Sequence, residues 1–356
     1  MYMQQNKALI AMSGGVDSSV AAYLTAQDGY SCIGGTMLLY DSGDACGSSA
    51  AIGDARAVAE RLDMPFHVFT MTEQFRNCVI QDFVSCYESG LTPNPCVRCN
   101  RHMKFSAFLE KAMELGCECM VTGHYARIRK DETTGRYLLC RAADAAKDQS
   151  YFLYAITQEQ LQRIRFPLGE LTKEQVRAIA HEQGFLNAKK RDSQDICFVP
   201  DGDYYAFLRK FTGKDYAPGD FLDTQGNKVG PHQGAAGYTL GQRKGLGLAM
   251  GQPVYVCGKD MEANTVTVGP NEALFKTTLL AKDWFWFPFP TLEKPMRVKA
   301  KARSRMVEQP ATVYPEENGI ARVVFDEPQR AITPGQAVVL YDGDMVVGGG
   351  TIISAE

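Results

Sequence analysis

No run of about 18 apolar residues occurs in the chain, which excludes a membrane-spanning helix. Residues 1–7 lack the apolar core of a secretory signal. A strand-like run begins at Ala8, so the expectation is a cytoplasmic protein without an export or transit segment. Charge of one sign is lacking too. With 38 Lys and Arg against 41 Asp and Glu, the net charge is −3, and no global basic field draws a nucleic acid. Any such partner must be held by a local patch. There is no internal repeat and no low-complexity tract. One absence is chemical: no Gly-Lys-Ser/Thr run exists, so the lysine with which a Walker loop reaches terminal phosphates is missing. Cysteine, by contrast, is plentiful, with 11 in the chain. Without an export signal these read as reduced thiols rather than a disulfide frame. Cys32, Cys140 and Cys257 lie in apolar runs and read as ordinary buried residues.

The most informative stretch runs from Ala8 to Ser19. Ala8–Met12 is a short apolar run of the kind that forms a buried parallel strand. It breaks at Ser13-Gly14-Gly15, and Val16-Asp17-Ser18-Ser19 opens a helical pattern through Leu24. A strand, a glycine turn and a helix start make an anion cradle, because the first N–H groups of the helix have no intrahelical acceptor and point outward. The string Ser-Gly-Gly-Val-Asp-Ser-Ser resembles the PP-loop of the ATP pyrophosphatases, which split ATP into AMP and pyrophosphate.

At 356 residues the chain is long enough for two or three domains. Strands at Ser31–Leu39, His67–Thr70 and Cys119–Thr122 alternate with helices at Ala51–Leu62, Phe75–Ser89 and Phe105–Leu115, and a helix at Lys173–Gln183 follows. This order predicts an α/β, doubly wound parallel sheet whose ligands bind at the carboxyl ends of the strands. Gly14-Gly15 and Gly123-His124 both fall at such ends. The expected division is a PP-loop domain over 1–200, a small mixed central domain over 201–275 and a β-barrel over 276–356. The barrel is read from evenly spaced short strands with Asn318-Gly319 and Asp342-Gly343 turns between them. Gly245-Leu246-Gly247 is no dinucleotide fingerprint, since the strand–turn–helix context is absent.

A second informative stretch is Thr92-Pro93-Asn94-Pro95-Cys96-Val97-Arg98-Cys99-Asn100-Arg101. Cationic neighbours and a helix start favour thiolate. Three readings of Cys96 and Cys99 remain open on the residues alone. Structural zinc would need two more ligands, for which Cys117 and Cys119 are conceivable. A thioredoxin-like pair fits poorly beside a PP-loop. The third reading is sulfur chemistry with Cys99 and the distant Cys197.

Six motifs then occur in one order. They are Ser13–Ser19, Asn94-Pro95-x-x-x-Cys99-Asn100, Gly123-His124-Tyr125-Ala126-Arg127, Lys147-Asp148-Gln149-Ser150, Asp192-Ser193-Gln194-Asp195-Ile196-Cys197-Phe198 and Gly241-Gln242-Arg243-Lys244-Gly245-Leu246. Together they resemble the tRNA-specific 2-thiouridylases, the MnmA/TrmU family, over essentially the whole chain. The resemblance implies that ATP, with Mg²⁺, adenylates the C2 oxygen of a wobble uridine. A persulfide on Cys197, loaded by a sulfur-carrier or cysteine desulfurase protein, then delivers sulfur, and Cys99 is the nucleophile that pairs with Cys197. By position it places ATP on Ala11, Met12, Ser13, Gly14, Gly15, Val16, Asp17 and Ser18, with Met37 and Gly123 on the adenine side. The target base falls to Asn94, Pro95 and Cys96. Contacts to tRNA fall to His124, Lys147, Asp148, Gln149, Arg303, Ser304 and Gln336. No metal ligand is named. Many family members carry Asp where this chain has Cys96. Cys96, Cys99 and Cys197 therefore also admit an iron–sulfur cluster with one open iron, as an alternative to the persulfide route.

Arg297, Lys299, Lys301, Arg303 and Arg305 alternate with small apolar residues, so one strand face would carry five cations suited to an RNA backbone. The Trp284-Phe285-Trp286-Phe287-Pro288-Phe289 run reads as barrel core or inter-domain packing, with base stacking as the other option. Two rival functions differ in what they need. An amide- or amine-forming PP-loop ligase would require no paired cysteines. A non-catalytic RNA-binding protein with structural zinc would survive loss of Asp17.

Overall fold

Alternation along one strand sets the layers of the first domain. In the computed structural model, which describes residues 6–40, 49–188, 190 and 196–356, strand β1 (Lys7–Ala11) buries Ala8, Leu9 and Ile10 completely. Ala8 and Ile10 face one helical layer, and Leu9 faces the other. Around β1 lies a five-stranded parallel sheet. It comprises β2 (Ser31–Leu38), β3 (Phe66–Thr70), β4 (Cys119–Thr122) and a short strand at Ile164–Arg165 beyond β4. On the Ala8/Ile10 face pack α1 (Val16–Gln27), α2 (Ser49–Arg61) and the helix Lys173–Glu182. On the Leu9 face pack the aromatic-rich helices, with Phe75, Phe83, Phe105 and Phe108 almost fully buried. The expected doubly wound α/β sheet is therefore present.

Two helices depart from expectation. The second helix after β3 does not begin at Phe105. Helical structure runs from Pro95 to Glu114, and its stretch Cys99–Phe108 is π-helical. Pro95 at the first helical position and Asn94, whose Oδ1 accepts from the Val97 N–H, start it. A second π-helical turn, Arg76–Ile80, packs beside it. Such segments are uncommon and concentrate at functional sites.

The central unit is a four-stranded sheet of Gly219–Leu222, Lys228–His232, Tyr255–Asp260 and Thr265–Gly269. The helix Tyr204–Thr212 joins it to the first core through Phe207 and Phe211.

The last unit is a closed six-stranded barrel. Phe275–Trp286 pairs with both Ala321–Arg330 and Met345–Ala355, which closes the circuit through Gln309–Pro315, Met296–Lys301 and Ala337–Asp342. Two further strands attach to it from the first domain. The hairpin Arg127–Lys130 and Tyr137–Cys140 meets the barrel where Cys140 pairs with Met345. Asp344 there takes hydrogen bonds from the guanidinium groups of Arg127 (3.0 Å) and Arg129 (2.6 Å). Sequence reading missed this hairpin.

Candidate active site

The sheet delivers Met12 to its carboxyl edge, where Thr36 Oγ1 donates to the Met12 carbonyl at 2.6 Å. The chain then turns through Gly14, whose φ of +72° suits glycine. A Cβ at Gly14 would stand 2.3 Å from the Ala51 carbonyl oxygen, so α2 presses directly on the turn. Gly15 caps α1 with no side-chain hydrogen bond. Ser18 Oγ donates instead to the Gly15 carbonyl at 3.0 Å and accepts from the Ser13 N–H at 3.2 Å. The turn is thus shaped by its own hydroxyls, and among the described residues no side chain caps the helix start.

Three distant residues hold this cradle. Lys173 Nζ lies 2.7 and 2.9 Å from the two Asp17 carboxylate oxygens, and the Tyr125 hydroxyl donates to Asp17 Oδ1 at 2.8 Å. Asn187 reaches Gly14 and Ser19 from the other side. Gly123 abuts the Asp17–Ser18 peptide so closely that its Cβ would lie 2.7 Å from Ser18 N. Lys173, Tyr125 and Asn187 escaped sequence reading as site residues. The capping box at Thr172 marks a helix start but not where Lys173 will reach.

Gln149 and Asp148 serve this edge from within. Gln149 Oε1 accepts from the Tyr125 N–H at 2.9 Å. Asp148 accepts from the Ala142 and Ser150 N–H groups and from Ser150 Oγ. Both side chains thus brace the loop beside Tyr125 while staying half-exposed. His124 sits between the Phe105 and Phe166 rings at 5.6 and 5.9 Å. Its Nδ1 is 2.7 Å from Thr122 Oγ1 and its Nε2 is 3.4 Å from Lys104 Nζ. Burial, then the Lys104 charge, holds its pKa well below the usual 6.5. Lys104 can only donate, so Nε2 accepts and the ring proton resides on Nδ1.

The cysteines separate clearly. Burial pushes the thiols of Cys32, Cys86 and Cys119 up to about 11 and raises those of Cys117, Cys140 and Cys257. Cys96 is exposed, on the first turn of the helix from Pro95. Cys99 and Cys197 are half-buried and pack against the same apolar core. Among the described residues no three His, Cys, Asp or Glu side chains gather closely enough to hold a metal ion. The zinc reading with Cys117 and Cys119 fails on this point, and Cys96, Cys99 and Cys197 do not form a cluster cage in this structure. Residues 192–195 of the Cys197 motif lie outside the described residues.

Comparison with known proteins meets this geometry. Residues 6–201 match a family model described as the tRNA methyl transferase HUP domain. Residues 205–270 match its PRC-barrel domain, and 276–352 match an aminomethyltransferase beta-barrel domain. The tRNA-specific 2-thiouridylase MnmA of Clostridioides difficile (strain 630) is 49% identical over 99% of both chains. That of Symbiobacterium thermophilum is 50% identical over 97% of this chain and 92% of its own. The chain belongs to the tRNA-specific 2-thiouridylase family.

In this thiouridylase the barrel grips the cysteine loop. Gln336 Nε2 donates to the Thr92 and Pro93 carbonyls at 3.1 and 2.9 Å, and the Thr92 N–H donates to the Pro334 carbonyl. Gln336 therefore holds the loop before Asn94. The cationic strand is also shorter than expected, ending at Lys301. Within it Val298 and Ala300 are buried inward and the cations face outward. Arg297 is tied to Asp326 at 2.7 Å. Lys301 stands over the Tyr151 ring. Arg303 lies past the strand end and turns inward, its Nη2 donating to the Leu240 carbonyl at 3.0 Å and to Thr333 Oγ1. It joins barrel to central unit, a correction to its place in a five-cation face. Lys299 and Arg305 remain exposed, and Ser304 is half-buried. Trp284 and Trp286 stack on each other at 4.6 Å against the barrel core, as the packing reading expected.

Proposed function

We infer that this chain synthesises 2-thiouridine in tRNA, using ATP to activate the uracil and cysteine-borne sulfur to replace its oxygen. The C2 carbonyl oxygen of uracil is a poor leaving group. Its attack on the α-phosphorus of ATP expels pyrophosphate and leaves the oxygen bound to AMP, which departs readily. The cradle over 11–18 suits this step. Without a Walker lysine it grips phosphate through backbone N–H groups and the α1 dipole, with Asp17 anchored by Lys173 and Tyr125.

The terminal sulfur of a Cys197 persulfide then attacks C2, and AMP leaves with the former carbonyl oxygen. Cys99 thiolate attacks Cys197 Sγ, breaking the S–S bond to the transferred sulfur. That sulfur stays on C2 as the thiocarbonyl, and Cys99 and Cys197 are left as a disulfide. A dithiol reductant resets the pair, and a persulfide-bearing donor protein reloads Cys197. Asn94, Pro95 and Cys96 lie at the helix start that presents Cys99, and they are the residues assigned to the target base. Mg²⁺ would accompany the ATP phosphates. A soluble, cytoplasmic setting fits this substrate, and no helix among the described residues is long and apolar enough to cross a membrane.

The observation that carries the reading is the pairing of a phosphate cradle that lacks a Walker lysine with two half-buried thiols on one core. The test incubates the chain with tRNA, ATP, Mg²⁺ and a persulfide donor, followed by nucleoside mass analysis. 2-Thiouridine is expected with the wild type and is lost in Cys99→Ala and in Cys197→Ala. Thiolation that persists in both variants overturns the reading.

A further inference from the structure

We propose that Asn187 is a positioning residue for the phosphate cradle, its side-chain amide fixing the direction of the Gly14–Gly15 peptide. The inference deepens the proposed function and rests on its ATP-dependent first step.

Asn187 is 5% exposed and lies 173 residues from Gly14 in sequence. Its Nδ2 donates to the Gly14 carbonyl at 3.2 Å and to Ser19 Oγ at 2.9 Å. Ser19 Oγ spends its own proton on the Gly15 carbonyl at 3.0 Å, so it receives from Asn187. Both targets are therefore acceptors, and the group facing them has to be a double donor. An amide supplies that. A carboxylate of the same shape would set oxygen against oxygen.

A trans peptide is planar, and its C=O and N–H point in opposite directions. Drawing the Gly14 carbonyl toward Asn187 therefore turns the Gly15 N–H the other way, to the face where an anion would sit. Nothing in a Gly-Gly peptide resists a flip by its own bulk, since neither residue has a Cβ. A flip would put the carbonyl dipole against the phosphate. The donor behind Gly14 is what opposes it.

A second observation separates this role from packing. Asn187 Oδ1 is buried with no hydrogen-bond partner among the described residues. An orphaned buried acceptor is unfavourable, and an apolar side chain would avoid it. The polar group earns its place through its NH₂ alone.

The test measures ATP affinity by equilibrium dialysis with Mg²⁺ and without tRNA, from about pH 8.5 to about pH 6, a span that covers a carboxyl group raised by burial. Asn187→Leu should bind ATP about tenfold more weakly at every pH, the scale of one lost buried hydrogen bond. Asn187→Asp should be at least as weak at high pH and recover toward wild type as pH falls, because the protonated carboxyl can donate to the Gly14 carbonyl. Two results overturn the inference: both variants binding like wild type, or both losing affinity equally with no pH dependence. Failure of the wild type to bind ATP defeats the proposed function and this inference together. Wild-type binding with unaffected variants defeats the inference alone.

Discussion

Gly123→Ala tests the closest approach in the site. Gly123 has a backbone φ that alanine can adopt, so the added methyl acts by volume alone. That methyl carbon would stand 2.7 Å from Asp17 C, 2.7 Å from Ser18 N and 2.9 Å from Asp17 O. All three are backbone atoms in the first turn of α1, so no side chain can swing away. Restoring van der Waals separation needs α1 and the end of β4 to part by about 0.7 Å. Asp17 is tied to Lys173 and Met12 to Thr36, which resists that movement. Overpacking of this kind costs about 1–3 kcal/mol. For a domain of this size that lowers the thermal midpoint by about 2–4 °C per kcal/mol. The displaced turn carries the N–H groups aimed at phosphate, and misplacement approaching 1 Å can cost about 100-fold in rate. The expected result is a raised KM for ATP in 2-thiouridine formation with a modest loss of thermal midpoint. Gly53→Ala is the control. It sits exposed within α2 with nothing near its Cβ position, and should stabilise by about 0.5–1 kcal/mol. A Gly123→Ala enzyme with wild-type KM and midpoint would refute the argument.

The exposed cations near the barrel give a salt-dependence test: neutralising Lys299 or Arg305 should reduce the slope of log affinity for tRNA against log salt by about 0.7–0.9 each. Arg303→Met should instead loosen the barrel from the central unit, seen as lower thermal stability with little change in that slope. The depressed histidines give a pH test. His124, and to a lesser degree His102 and His232, bind protons less readily in the fold than their usual 6.5. The unfolded chain therefore takes up protons first, and stability is lost as pH falls through about 6.5. Denaturant midpoints in His124→Gln should fall less steeply below that pH than in wild type, and an unchanged slope would count against a neutral buried His124.

Much of the first domain was legible because its signals are local. Ala8–Met12, the glycine pair and the helix after it follow from neighbouring residues, and so does β4 at Cys119–Thr122. The helix start at Pro95 was also local, since Asn94 as cap and Pro95 behind it marked it beside the cysteines, but the apolar spacing from Phe105 onward placed the body of the second helix too late. The π-helical stretch from Cys99 defeats a 3.6-residue template. What lay beyond local reading was register and reach. Nothing near residue 140 announces a partner at Met345, and nothing near Lys173 or Asn187 announces Asp17 or Gly14. Arg303 shows the same limit. Its alternation with alanine was real, but the strand ended two residues before it, and the side chain turned to a carbonyl in another unit.

The Arg127–Cys140 hairpin carries a consequence for how substrate must approach. Asp344 is tied to Arg127 and Arg129, the Arg136 guanidinium donates to the Trp286 and Phe287 carbonyls, and Tyr151 donates to the Ala337 carbonyl. The first domain and the barrel are thereby pinned to each other along the hairpin. The expected approach is then that a substrate uridine leaves its own stack to reach the cradle, so that deformation falls on the RNA loop and loops that splay easily are favoured.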